Sequence, residues 1–395
     1  MENGTHGTAL LESAQTQMAQ PAQSSGIRLG RILGIPIYLH TSWFLIFLLI
    51  TLSLRTQFVS LHPGWSAMQH WTLGIITSVL FFSSVVFHEM SHSVVAMHYH
   101  IKVQSITLFV FGGLARIERD APNAKQEFNI AIAGPLSSLF LAGFFWLIWR
   151  FVHGSEMVTA AAGWLAATNL ILALFNLVPG FPLDGGRVLR GIAWGITGNF
   201  LRATQIASNA GRLFAYFMIA YGVWGALRGN WVGGLWIAFI GWFLLEAARE
   251  SFTQVAIRDT LADVRAQDIM VRDIPTVARD MSVDEYVHEV LRTGRRCHIV
   301  TAGEAPVGLV TLQAAGAVSR HEWPNTSIQA IMVPMARVET ATPGDSALQI
   351  LERMQSADIN QMPIVSDHHI VGMIGRDAIL RVLQTRLQAG HLAKA

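Results

Sequence analysis

The chain has 395 residues, of which 52% are hydrophobic and 14% charged, with a formal net charge of +2. That balance, with no basic run, excludes nucleic-acid binding. The single cysteine, Cys297, excludes an intrachain disulfide framework or a thiolate zinc site and is read as a small buried hydrophobe.

The apolar residues concentrate between about 30 and 247, eleven of the twelve tryptophans precede residue 250, and the last third has the composition of a water-soluble domain. Residues 1–27 hold almost no large apolar side chains and lack a charged segment followed by an apolar one. They read as a disordered tail rather than a signal peptide.

A membrane domain is expected over 28–250. Its first span runs from Pro36 to Leu54 and closes on Arg55, and His62-Pro63-Gly64-Trp65 turns the chain near an interface. The second span, from Trp71 to about Met97, contains Phe87-His88-Glu89-Met90-Ser91-His92. Residues four apart share a helix face, so His88 and His92 can offer both imidazoles to one metal ion. Glu89 stands about 100° round from His88, within reach of a water on that metal. This is the H-E-x-x-H arrangement of two nitrogen ligands and a general base. A lone histidine is ordinarily a satisfied core residue, but here three ionisable groups share one membrane-length segment. A charged side chain there costs about 2.5–3.5 kcal/mol on insertion scales, which marks the group as functional.

Residues 105–118 turn β-branched around Gly112-Gly113 and predict a short hairpin at the membrane surface, with Phe111, Gly112 and Gly113 as candidate substrate contacts. The third span, Phe128 to Trp149, carries Ala133-Gly134-Pro135, small residues that admit a close neighbour. The fourth begins near Met157 and reaches Asn176, after which the prolines and glycines between Val178 and Arg187 cannot continue a helix. Irregular backbone at membrane depth must line a cavity or be covered by protein. Asp184 lies in that run and is the sole acid between Glu156 and Glu246. A catalytic zinc takes three protein ligands, and Asp184 is the strongest candidate for the third, although a helix cap is the ordinary role of such an acid. The last two spans cover about 208–227 and 230–246. Ser83, Ser84, Ser91, Thr168 and Asn169 mark a candidate polar path, although each singly suits an interhelical contact. His40, His98 and His100 fall at span ends and read as interfacial. Lys and Arg alternate between many and few across the successive connections, which places six spans with both termini on the cytoplasmic side of the cell membrane.

After a linker at 251–266 the sequence repeats itself. Ile269-Met270-Val271 recurs as Ile331-Met332-Val333, Ile299-Val300 as Ile364-Val365, and Gly308-Leu309-Val310 as Gly372-Met373-Ile374. Each copy reads as strand, helix, strand, strand, helix. The pattern resembles a tandem pair of cystathionine-β-synthase (CBS) domains, here 267–322 and 326–386, before a tail at 387–395. That resemblance implies an α/β pair that binds an adenine nucleotide or forms a homodimer. The family's nucleotide pattern places Thr or Ser three residues after the glycine and Asp six after it. Copy one has Thr311 but Ala314, and copy two has Gly375 and Ala378 with Asp377 one position early. A purely structural or dimerising module stays open.

Taken together, His88-Glu89-x-x-His92, the Gly112-Gly113 hairpin, Ala133-Gly134-Pro135, and Asn176 with Pro182-Leu183-Asp184-Gly185-Gly186 resemble the site-2 protease family. The fold this implies is a multi-pass α-helical membrane protein of about six spans, with a membrane-surface β-hairpin and a C-terminal α/β CBS pair. The resemblance also implies one Zn²⁺ per chain held by His88, His92 and Asp184, with Glu89 as catalytic acid/base. Asn176 would be a polar group near the reaction centre, although alone it reads as a helix-packing residue. The expected partners are the lipid bilayer and a transmembrane protein substrate, cleaved within or near its spans. A CBS-regulated metal transporter and a catalytically inactive scaffold are the competing functions. Neither needs a carboxylate beside the first histidine.

Overall fold

The computed structural model describes residues 26–392 apart from 111, 119 and 368. Two compact units part between Val255 and Ala256. Six helices among the described residues are long and apolar enough to cross a membrane: α1 (Thr41–Leu61), α2 (Ala67–His98), α3 (Ala124–Phe151), α4 (Glu156–Asn176), α6 (Phe200–Leu227) and α7 (Trp231–Leu261). A shorter helix, α5 (Asp184–Thr197), lies between the fourth and fifth of these.

The second spanning helix, α2, has 32 residues and opens on a capping box in which Ser66 and Gln69 satisfy each other's backbone N–H groups. At 1.5 Å per residue it is about 48 Å long, against a hydrocarbon core of about 30 Å. His88 stands ten residues before its last residue, His98, so about 15 Å of helix separates it from that end.

Beside α2 lies a four-stranded sheet in the order β1 (Gly26–Ile32), β2 (Ile35–His40), β3 (Val103–Phe109), β4 (Gly112–Ile117). β2 and β3 are parallel, while the outer pairs are antiparallel. Ile35, Val103 and Ile106 pack against Met90 and Ala96 of α2, so the sheet is anchored on that helix. β4 is an edge strand.

Several expectations change here. The first span starts at Thr41, because Ile35, Ile37 and Leu39 alternate inward as a strand. His40 caps that span by accepting from Ser42 N–H. The 105–118 hairpin exists but belongs to a larger sheet, one strand of which takes in Gly26 and Ile27 from the expected tail. The rest of that tail lies outside the described residues. Asp184 is the first residue of α5, so the irregular run is confined to 177–183. The fifth spanning helix starts earlier than expected, at Phe200, and ends at Leu227 as expected, while the sixth runs past its expected end to Leu261. The last of them runs past Glu246, which pairs with Arg249 at i,i+3 and 3.5 Å, and takes in residues 251–261 of the supposed linker.

In the second unit β5 (Thr276–Ala278), β6 (Cys297–Ala302), β7 (Ala305–Thr311) and β8 (Val333–Pro334) form one sheet, and β9 (Gln361–Ser366) pairs with β10 (His369–Gly375). The helices α8 (Val283–Thr293) and α10 (Ala347–Ser356) each open on a capping box, Ser282 with Glu285 and Ser346 with Gln349. A short α9 (Leu312–Gly316) and a longer α11 (Arg376–Leu392) close the two copies, the latter running into the expected C-terminal tail. The first strand of copy two shrinks to one bridge, Ala341 to Ile364. The copies exchange their leading segments: β8 pairs with β7 of copy one, and Val271 pairs with Met373 of copy two. Gly308 and Gly372 permit the exchange, since a β-carbon there would stand 2.8 Å from Met332 Sδ and 2.7 Å from Met270 Sδ.

Candidate metal centre

One helical turn brings His88 and His92 onto the same flank of α2, with Nε2 atoms 3.3 Å apart. Asp184 completes the group: its Oδ2 lies 3.0 Å from His88 Nε2 and 3.2 Å from His92 Nε2. Both histidines are only 4% exposed, and Asp184 is half-buried. Four ligands about 2.0–2.1 Å from a tetrahedral zinc stand about 3.3 Å from one another. The observed spacings, 3.0 to 3.3 Å, therefore fit that ion.

A second observation supports the fit. A β-carbon on Gly134 would fall 2.1 Å from His92 Nε2 and 2.6 Å from His88 Nε2. The space in front of both ring nitrogens is thus kept clear because α3 carries a hydrogen there instead of a methyl. The same helix orients both rings. His92 Nδ1–H donates to the Ile130 carbonyl at 2.7 Å, and His88 Nδ1 is 2.9 Å from Ser138 Oγ. A carbonyl can only accept, so His92 carries its proton on Nδ1 and turns the Nε2 lone pair toward Asp184. Ile130, Gly134 and Ser138 are four apart and share one face of α3.

Asp184 reaches the group because the run before it is pressed between neighbours. Phe181 N–H donates to Ala207 O of α6 at 3.2 Å, and a β-carbon on Gly211 would meet Phe181 O at 2.1 Å. Gly185 and Gly186 let the first turn of α5 fold onto that run, their β-carbons being blocked at 2.3 Å by Val178 O and Phe181 N. Glu89, half-buried, faces β4: a β-carbon on Gly113 would stand 2.4 Å from its Cγ.

The other candidates fare differently. Asn176 ends α4 half-buried, with no side-chain hydrogen bond joining it to His88, His92 or Asp184. Gly112 begins β4 with φ 132°, a conformation reserved for glycine. Phe111 lies outside the described residues. The polar path is not assembled, because Ser83, Ser84 and Ser91 each donate to the carbonyl four residues back. Within it only Asn169 and Ser84 are linked, at 3.4 Å. Ser138 and the Ile130 carbonyl escaped the sequence reading. The first resembles any small polar residue on an apolar helix, and the second is backbone.

A model of peptidase family M50 matches residues 76–163 and 152–218, and a CBS domain model matches 328–385. A curated protein of Synechocystis sp., named "Putative zinc metalloprotease sll0528", is 34% identical over 92% of this chain and 96% of its own length. "Putative zinc metalloprotease Rip3" of Mycobacterium tuberculosis is 35% identical over 90% of this chain and 92% of its own. Among solved structures, the site-2 protease of Methanocaldococcus jannaschii is 32% identical, covering 57% of this chain and 95% of its own, with a TM-score of 0.41.

Proposed function

From the premise that the chain belongs to peptidase family M50, the site-2 zinc metalloproteases, we propose that it cuts other membrane proteins within or beside their transmembrane segments, using one zinc ion held by His88, His92 and Asp184. The observation that carries this reading is the convergence of those three ligand atoms, all within 4.8 Å of one another, on a helix able to cross a membrane.

Zinc bound there supplies Lewis acidity that polarises the scissile carbonyl and makes water a nucleophile near neutral pH. The remaining work belongs to the chain. Ile130 and Ser138 hold the imidazoles in the orientation a ligand needs. Glu89 takes the proton of the attacking water and delivers it to the departing amine. Asn176, with its amide free of those ligands, donates to the developing oxyanion.

A transmembrane helix hides its carbonyls in its own hydrogen bonds and must unwind before attack. The unwound peptide adds as a strand to the edge of β4, whose Gly113 touches Glu89, so that strand pairing delivers the bond to the base. The excess of Lys and Arg in alternate connections supports cytoplasmic termini and residence in the cell membrane. The CBS pair is read as the regulatory module. Thr311 spends its hydroxyl as the N-cap of α9 and Asp377 pairs with Arg381 at 2.9 Å. The pair is accordingly read as a nucleotide-binding or a dimerising module.

Profiling of new protein N-termini in membranes from cells expressing the wild type or Glu89→Gln tests the proposal. Termini mapping inside substrate spans are expected with the wild type alone, while purified Glu89→Gln keeps its zinc. Identical profiles overturn the reading.

A further inference from the structure

One cluster of charge buried in the membrane unit plays no part in that mechanism. Glu127, in the first turn of α3, is 0% exposed. Its Oε1 accepts from Arg187 Nε at 3.1 Å and from Arg190 Nη2 at 2.5 Å, and Oε2 lies 3.5 Å from Arg187 Nη2. Arg190 is 6% exposed and lies over the rings of Phe181 and Phe200, 5.1 and 4.7 Å from their centroids. Both arginines belong to α5, the helix whose first residue is Asp184.

Adhesion alone does not account for this arrangement. Desolvating three charges is costly, and aliphatic side chains of similar volume commonly hold two helices together at least as well. Directionality is what an ion pair adds. A guanidinium fork on a carboxylate fixes distance and angle together, which a greasy contact does not. Asp184, Arg187 and Arg190 recur at intervals of three along α5, so holding the arginines sets the rotation of the helix and with it the direction of the Asp184 carboxylate.

We propose that Glu127 is a positioning residue for the third metal ligand: through Arg187 and Arg190 it fixes the phase of α5, so that Asp184 Oδ2 meets the two histidine nitrogens. The inference rests on the reading of His88, His92 and Asp184 as a metal site. It also unifies that site, because α3 then references every ligand. Ile130 orients His92, Ser138 orients His88, Gly134 clears the space between them, and Glu127 places Asp184.

The test uses the full-length chain purified in detergent, as wild type, Glu127→Gln, Arg187→Lys and Asp184→Asn. Each is titrated with a zinc chelator, and each is loaded with Co²⁺ for its visible absorption spectrum, which reports ligand number and geometry independently of turnover. Glu127→Gln keeps the shape of the side chain and loses its charge. It is expected to lower zinc affinity about ten- to hundredfold, as outer-shell changes do, and to shift the Co²⁺ spectrum toward that of Asp184→Asn. Arg187→Lys, which keeps the charge but not the fork, is expected to lie between wild type and Glu127→Gln. It also serves as the readout should Glu127→Gln not fold. Wild-type zinc affinity and Co²⁺ spectrum in both variants, with Asp184→Asn impaired, overturn the positioning role alone. If Asp184→Asn itself matches the wild type in both measurements, the metal site as read here is wrong and this inference falls with it.

Discussion

The two units bury opposite things. Of the sixteen buried polar or charged side chains among the described residues, fifteen precede Val255 and His298 alone follows it. Large apolar side chains show the reverse, since only Val271, Leu291 and Val333 of the second unit are strongly exposed, against dozens in the first. In the first unit the surroundings are hydrocarbon, so apolar faces turn outward and polar side chains are gathered inside. In the second the surroundings are water, and polarity goes to caps and surface pairs such as Ser282 with Glu285 or Arg292 with Glu289. Buried polarity is therefore the rule in the membrane unit, and what identifies a site there is convergence. His88, His92 and Asp184 meet at a point, whereas Thr51 with Ser78 or Ser208 with Ala248 O are isolated packing bonds.

The comparison breaks most sharply at Gly134. If convergence on an ion is what α3 protects, Gly134→Ala places a methyl 2.1 Å from His92 Nε2 and must displace the ring or the metal. Loss of at least nine-tenths of the bound zinc and of cleavage is expected, by metal analysis and reporter assay, with helix content unchanged. Gly143→Ala on the same helix meets nothing within 4 Å and should behave as wild type. Equal zinc in both variants would reduce Gly134 to ordinary helix packing. A smaller effect is expected at Gly113, where an added β-carbon would contact Glu89 Cγ at 2.4 Å. Glu89 has a flexible side chain and can swing aside, so Gly113→Ala should retain zinc while turnover falls about 10²-fold, the scale associated with displacing a proton-transferring group. Zinc loss in this variant would place β4 against the ligands rather than the base.

Much of this centre was legible because helical geometry is local. His88, Glu89 and His92 follow from the period of one helix, and Asp184 stood out as an acid without neighbours in sequence. What was hidden is nonlocal or lies in the backbone. β1 and β2 merge into the apolar run of α1, so Ile35, Ile37 and Leu39 passed for the start of a span until their partners on β3 were visible. Glu127 falls one residue before the expected third span, and nothing near it in sequence marks it, since its partner Arg187 comes sixty residues later. The repeat was readable from its own recurrence, but the exchange of leading segments between copies was not, because a two-residue strand carries no periodicity.

The smallest expected effect concerns the exception in the second unit. His298 on β6 is 2% exposed, its ring meets Tyr286 edge-on at 5.3 Å, and its Nδ1 is buried without a hydrogen-bond partner. Burial holds its pKa below the ordinary histidine value, with nearby Arg295 acting in the same direction and Glu289 opposing. Tyr286 and Cys297, its other titratable neighbours, have their own pKa values raised by burial and stay neutral across this range. The unfolded chain therefore binds a proton near pH 6.5 that the folded strand resists. Stability is fully present above that pH and declines as pH falls through it toward the lower, folded value. Hydrogen exchange on the full chain, corrected for intrinsic rates, should show weaker protection of 297–311 at pH 5.5 than at pH 7.5. His298→Gln, which cannot take up the proton, should abolish the difference. If protection is the same at both pH values in the wild type, the ring has a partner for its proton, and the contrast between units loses its one exception: an aqueous domain would then have left no buried polar atom unpaid at this position.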